Sequence, residues 1–182
     1  MMVTLAQTGR SQTMQYDFNT KVDRSKNFSA KYDELKKAFG RDDIIPLWIA
    51  DMDLPTAQPI MDAIEQRNKQ GIFGYTSRPE SYFRSICHWQ KKRNGWNIDP
   101  SLVSFALGVV PALCTIVKEF SNPGEPIVFF TPVYSQFFHV IRDWGRTPVT
   151  CELVEEDGYY TIDFNAFEKI LREEKPALLI LC

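Results

Sequence analysis

The sequence predicts an α/β domain built on a mostly parallel sheet with helices on both faces, preceded by an irregular N-terminal stretch. Two observations carry this prediction. From residue 101 onward, apolar runs of strand length alternate with stretches of helical periodicity. Most of those runs are apolar throughout rather than at every second position, the pattern of strands covered on both sides.

Residues 1–28 are polar and irregular, and residues 1–15 read as a flexible tail. A first helix is expected after Ser29, with Tyr32, Leu35 and Phe39 on one face and Gly40 as its end. The extended stretch "DDIIPLWIADMDLPTAQP" follows. Thr56 is placed to cap a second helix, with Ile60, Ala63, Ile64 and Arg67 at helical spacing and Gly71 as its stop. "GIFGYTSRP" is a loop. Pro79 suits the first turn of a third helix, in which Tyr82, Phe83, Ile86 and Trp89 form the apolar stripe.

The regular part then begins. "LVSFALG" is read as a strand, "PALCTIVKEF" as a helix, "PIVFFTP" as a strand and "YSQFFHVIRDWG" as a helix. "TPVTCELV" is a strand followed by a turn in "EEDGYY". Asp163 is placed to cap the helix "FNAFEKILREE". The last strand, "ALLILC", reads as buried on both faces. Domain termini are usually exposed, so the sequence is expected to stop inside its own core.

Composition narrows the function. With 182 residues, 44% apolar and 24% charged, the chain is an ordinary globular one. A net charge of -2 with scattered Lys and Arg argues against nucleic acid as partner. No apolar run approaches the roughly 18–20 residues of a membrane span, and no block resembles a secretory signal. The four cysteines form no CxxC pair, which argues against zinc and for free, buried thiols in a reducing cytoplasm.

Ligands of open α/β sheets sit beyond the carboxyl ends of the strands. Gly108-Val109-Val110-Pro111 leads straight into a helix, whose free N–H groups favour an anion such as phosphate; an ordinary tight glycine turn is the alternative. Tyr134 follows the next strand, either as a stacking surface for a flat ligand or as a rim aromatic. Asp51 and Asp53 point the same way in an extended chain, as a metal pair or as a polar turn. Tyr75 lies in the glycine loop with Arg78. His88 and His139 fall inside helices and read as structural.

Five blocks in this order, "PLWIADMDLPTAQPIMDAI", "GIFGYTSRPESYFRSICHW", "LGVVPAL", "FFTPVYSQFF" and "PALLILC", resemble the MalY/PatB-type cystathionine β-lyases. These are pyridoxal 5'-phosphate enzymes of fold type I, within the class I/II aminotransferase superfamily. The opening "YDFNTKVDRSKNFSAKYD" is similar to that family's start, so the likeness runs from about residue 16 to the end. It implies that the backbone amides of Val109 and Val110, after Gly108, hold the cofactor phosphate. It implies that Tyr134 stacks on the pyridine ring and that Tyr75 reaches the cofactor of a second identical subunit. Ala50 and Asp51 are expected near the carboxylate of an amino-acid substrate. Residues 16–45 are expected in a small domain and 46–182 in the first part of the cofactor domain.

The resemblance also implies what this stretch does not hold. The family's Schiff-base lysine matches no residue here, so no catalytic residue is assigned. The chain is expected to be the inactive N-terminal half of a cytoplasmic, homodimeric carbon–sulfur β-lyase. The rivals are an aminotransferase of the same fold and a truncated, non-catalytic binding or regulatory protein. A nucleotide-binding module lacks support, since neither GxGxxG nor a Walker lysine is present.

Overall fold

The computed structural model describes residues 16–182; the tail expected at 1–15 lies outside them. Two compact units divide the chain between Ser77 and Arg78. Among the described residues, no helix is long and apolar enough to cross a membrane.

In the first unit, the single helix expected after Ser29 arrives as two short pieces, α1 (Ala30–Asp33) and α2 (Leu35–Phe39), divided at Glu34. Ser29 stands at the boundary but its hydroxyl does not cap; it accepts from Arg24 Nη2 at 3.3 Å instead. Gly40 ends α2 with φ 74, a left-handed conformation that glycine adopts without strain. Phe39 meets Trp48 edge to face, 5.5 Å between ring centres. Helix α3 (Gln58–Lys69) begins after Ala57, and Thr56 does not cap it. Pro59 in the first turn supplies the start instead, its fixed φ being already helical. Among the described residues of this unit, only Leu35 and Lys31 are buried.

The second unit opens with α4 (Glu80–Asn94), which Gly95 ends at φ 66. Pro79 stands just before its first turn rather than in it. The strand expected at "LVSFALG" is not formed. A short 3-10 turn, Pro100–Leu102, is capped by the Asp99 carboxylate, and the chain then runs irregularly to Gly108. A strand exists only where a neighbour takes its backbone hydrogen bonds. The sheet of the described residues offers none at this place, and Leu102, Phe105 and Leu107 are exposed.

Next come α5 (Val109–Phe120), β1 (Pro126–Thr131), α6 (Gln136–Asp143), β2 (Thr147–Glu156), β3 (Tyr159–Ile162), α7 (Phe164–Glu174) and β4 (Leu178–Ile180). The strand order is β3-β2-β1-β4. β1 pairs parallel with both β2 and β4. β3 is an added antiparallel strand that the apolar pattern did not announce. It turns back from β2 through Asp157 and Gly158, both with positive φ (51 and 84), as a two-residue hairpin turn requires.

Alternation along β1 divides the core in two. Ile127 and Phe129 face α5 and α6 with Val117, Phe137, Val140 and Ile141. Val128 and Phe130 face the other way, toward Cys151 and the α7 residues Phe167 and Ile170. Helices therefore cover both faces, as the uniformly apolar strand predicts. The Asp163 carboxylate caps α7, accepting from the amides of Asn165 and Ala166 at 2.9 and 3.1 Å.

The last strand departs from expectation. Ile180 is buried, but Leu179, Leu181 and Cys182 are exposed. β4 is an edge strand, and α7 packs on β2 rather than over it. The cysteines are free, as expected, yet only Cys151 is fully buried; Cys87 and Cys114 are half-buried. Burial pushes the Cys151 thiol above its usual pKa, so it stays a protonated packing group.

Candidate functional site

Helix α5, about 18 Å long, and strand β1, about 20 Å long, are joined by a short turn and so lie side by side, antiparallel. The start of α5 thus returns to the carboxyl end of β1. Val110 in the first turn of α5 and Val133 just beyond β1 pack against the same apolar cluster.

The far end of α5 is fixed by a buried arginine. Arg146 Nε donates to Ser121 Oγ at 2.9 Å, and Nη1 donates to the Trp144 carbonyl at 2.5 Å. Its Nη2 donates to the carbonyls of Lys118, at 3.2 Å, and Ser121. Ser121 Oγ in turn donates to the Val117 carbonyl at 2.5 Å. The guanidinium thus satisfies carbonyls that the end of a helix leaves over, and its charge suits the negative end of the helix dipole.

The near end is left open. Gly108 precedes the helix at φ 157, ψ 172, a region that glycine alone occupies readily. Its carbonyl accepts from Ala112 N at 3.1 Å and starts the helical ladder. The amides of Val109 and Val110 belong to the first turn, where no earlier carbonyl is in reach, and no side chain caps them. Pro111 brings no N–H. The result is two free donors at the positive end of a helix dipole, an arrangement that receives an oxyanion.

Tyr134 is tied to the same apolar cluster through Phe137. It follows β1 through a cis Thr131–Pro132 peptide and leads into α6. The ring is 55% exposed and leans edge-on against Phe137, 6.2 Å between centres. Phe137 belongs to the cluster that carries Val110. An aromatic face open to solvent therefore flanks the same cluster as the two free amides.

The other expected site residues lie in the first unit. Tyr75 sits fully exposed in the loop after α3. Ala50 and Asp51 are exposed in an irregular segment. Asp51 and Asp53 do point the same way, and two cations meet them. Arg24 binds the carboxylate of Asp51 and, at 2.6 Å, that of Asp53. Lys31 Nζ reaches Asp53 at 2.8 Å and the Asp51 carboxylate at 3.6 Å. The pair is thus the acidic half of a four-residue ion-pair knot.

That knot sets a pH range. Hydrogen bonds from Lys31, then Arg24, hold the Asp53 carboxyl down at about 2, against 3.8 for a free aspartate. Asp51 is lowered by Arg24 in the same direction. A carboxylate with a depressed pKa contributes its stability above the unfolded value and loses it as pH falls through the folded one. The knot should therefore be intact above pH 4 and come apart between 4 and about 2. Trp48 Nε1 donates to the Lys31 carbonyl at 3.0 Å, so the Trp48 indole N–H resonance against pH reads the transition. A midpoint above pH 5 would contradict this assignment.

Arg24, Lys31 and Arg146 were not singled out from sequence. For the first two, the signal was the aspartate pair itself, which needs compensating charge. Arg146 gave none, since a basic residue after a Gly turn reads as solvent-exposed.

Comparison with known proteins gives the family. Residues 42–182 match the family model described as aminotransferase class I and II. The chain is 37% identical over 166 residues to cystathionine β-lyase PatB of Bacillus subtilis and 29% identical over 168 residues to protein MalY of Escherichia coli. Those matches cover 91% and 92% of this chain, which spans about 43% of the length of each relative. Cystalysin from Treponema denticola, solved with pyridoxal 5'-phosphate, superposes with a TM-score of 0.83 at 34% identity, covering 91% of this chain and 43% of that one. A PLP-bound C-S lyase from Staphylococcus hominis gives 0.85 at 27% identity, covering 92% and 42%. The fold is thus part of a PLP-dependent fold type I architecture. The chain belongs to the aminotransferase class I and II family.

Proposed function

We propose that these residues are the cofactor-positioning part of a PLP-dependent carbon–sulfur β-lyase. The observation that carries the reading is the uncapped start of α5 at Gly108 and the exposed Tyr134, which flank one apolar cluster. The 37% identity to a cystathionine β-lyase supports it. The amides of Val109 and Val110 bind the cofactor phosphate, and Tyr134 stacks on the pyridine ring. PLP, once bound, supplies the electron sink that lets a sulfur leave from the β-carbon of an amino acid. Substrates are S-substituted cysteines of the cystathionine class, giving a thiol, pyruvate and ammonia.

In this reading the enzyme is a cytoplasmic homodimer, with Tyr75 reaching the phosphate held by the second subunit. Ala50 and Asp51 face the substrate carboxylate. Residues 16–45 belong to the small domain and 46–182 to the cofactor domain. What these residues contribute is position: a fixed phosphate and a stacked ring hold the reacting atoms in line. The proton-transferring lysine lies elsewhere in the enzyme.

Two results test this. Residues 1–182 alone should release no pyruvate from cystathionine, whereas the complete enzyme should release pyruvate and ammonia. A keto acid formed with transfer of the amino group would instead identify an aminotransferase. Tyr134→Ala should weaken cofactor binding roughly 2- to 10-fold, the worth of an aromatic stack, and Tyr134→Phe should restore it. Equal affinity in Tyr134→Ala and the parent would refute the stacking role.

A further inference from the structure

We propose that Arg24 and Lys31 are positioning residues for recognition of the substrate carboxylate: by occupying the carboxylates of Asp51 and Asp53 and the carbonyls of Asp51 and Met52 they leave the main-chain donors at Ala50 and Asp51 for an anion. The proposal rests on the reading that places Ala50 and Asp51 at that carboxylate.

An anion approaching this segment would meet two aspartates two residues apart. Bare, they would repel it. Arg24 spans both, binding each carboxylate and donating from Nη1 to the Met52 carbonyl at 3.0 Å. Lys31 Nζ donates to the Asp51 carbonyl at 3.0 Å as well as to Asp53. Both carboxylates and both carbonyls of Asp51 and Met52 are thereby turned toward cations. The four charges cancel. The amides of Ala50 and Asp51 donate to no acceptor among the described residues, and both residues are exposed. A segment whose carboxylates are neutralised and whose amide donors are free favours an oxyanion.

The cations are themselves held. Lys31 is only 4% exposed, its stem packed away and its carbonyl tied to Trp48 Nε1. Arg24 lies over the Tyr32 ring, 5.5 Å from its centre, and also reaches Ser29. Arg24 binds two carboxylates at once, a span that suits a forked guanidinium better than a point charge.

The test compares two ligands of the PLP-loaded enzyme: an S-substituted cysteine and the matching amine without its carboxylate. Inhibition constants and the KM and kcat for the amino acid are measured for the parent, Arg24→Gln and Arg24→Lys. Trp48 indole N–H resonances of the 182-residue chain report independently whether the segment stays folded. In the parent the carboxylate-bearing ligand should bind more tightly. Arg24→Gln should erase at least about tenfold of that preference through KM, with kcat changed less than about threefold and the amine's affinity unmoved. Arg24→Lys should restore part of it. An unchanged preference in Arg24→Gln overturns the proposal. So does equal loss for both ligands, or loss of the Trp48 signal in both variants, since Arg24 would then hold the fold only. A parent enzyme that does not prefer the carboxylate would instead refute the placement of Ala50 and Asp51.

Discussion

Replacing Phe129 by alanine is expected to destabilise the second unit by about 3–5 kcal/mol, the range for emptying a packed aromatic site. Phe129 is fully buried at the middle of β1, which lies between β2 and β4. Its ring meets Phe138 edge-on at 4.6 Å and Phe137 at 6.3 Å between centres. Those rings sit at the start of α6, so the side chain joins sheet to helix, and Phe137 in turn carries the Tyr134 ring. Domains are stable by about 5–15 kcal/mol, so the variant should lose a large share of its folded range in urea. Phe129→Leu keeps much of the volume and should cost clearly less. A loss under about 1 kcal/mol for the alanine variant would show that the two helices do not depend on β1 for their packing.

Arg146→Met should cost about 1–3 kcal/mol, because it leaves one buried and two partly buried carbonyls without this donor while keeping much of the stem's volume. The Lys118, Ser121 and Trp144 carbonyls all lose their donor at once. Arg146→Lys should rescue little, since one ammonium cannot serve acceptors spread around a planar fork. Urea unfolding gives the magnitude. Amide exchange at the last turn of α5 gives the location and should speed up there before elsewhere. A variant within about 0.5 kcal/mol of the parent, as at an ordinary surface position, would mean that α5 is held by its apolar face alone.

Both experiments probe features of unequal legibility. The core strand was plain in the sequence because "IVFF" is apolar at four successive positions, and alternation assigns its faces. Asp163 was legible as a cap because the carboxylate acts on amides two and three residues ahead. The strand expected at 102–108 fails for the opposite reason. Its residues carry a strand's composition, but a strand is a property of a pair, and the partner is not written in the segment. β3 was missed because "YYTI" is short and its exposed tyrosines look like loop.

The site divides the same way. Gly108 and the two valines could be found because an anion site at a helix start is local. The knot of Arg24 with Asp51 joins residues 27 apart in sequence, and no local rule pairs them. Apolar neighbours predict a buried Cys182; its exposure follows from strand order, which puts β4 at the sheet edge.

The central claim is that the amides at the start of α5 hold a phosphorylated pyridine cofactor. Binding of pyridoxine 5'-phosphate tests it most directly, because the probe carries the phosphate and the ring but no aldehyde to react with surface lysines. Equilibrium binding is compared for the parent chain, Val109→Ala and Val109→Pro. Proline is tolerated at the first helical position and Gly108 before it keeps ψ 172, outside the helical region that a following proline disfavours, so the change removes one donor and little else. The account predicts saturable binding that Val109→Ala leaves unchanged and Val109→Pro weakens by about 10- to 100-fold, the worth of one hydrogen bond to a charged group. Equal affinity for Val109→Pro and the parent would contradict it.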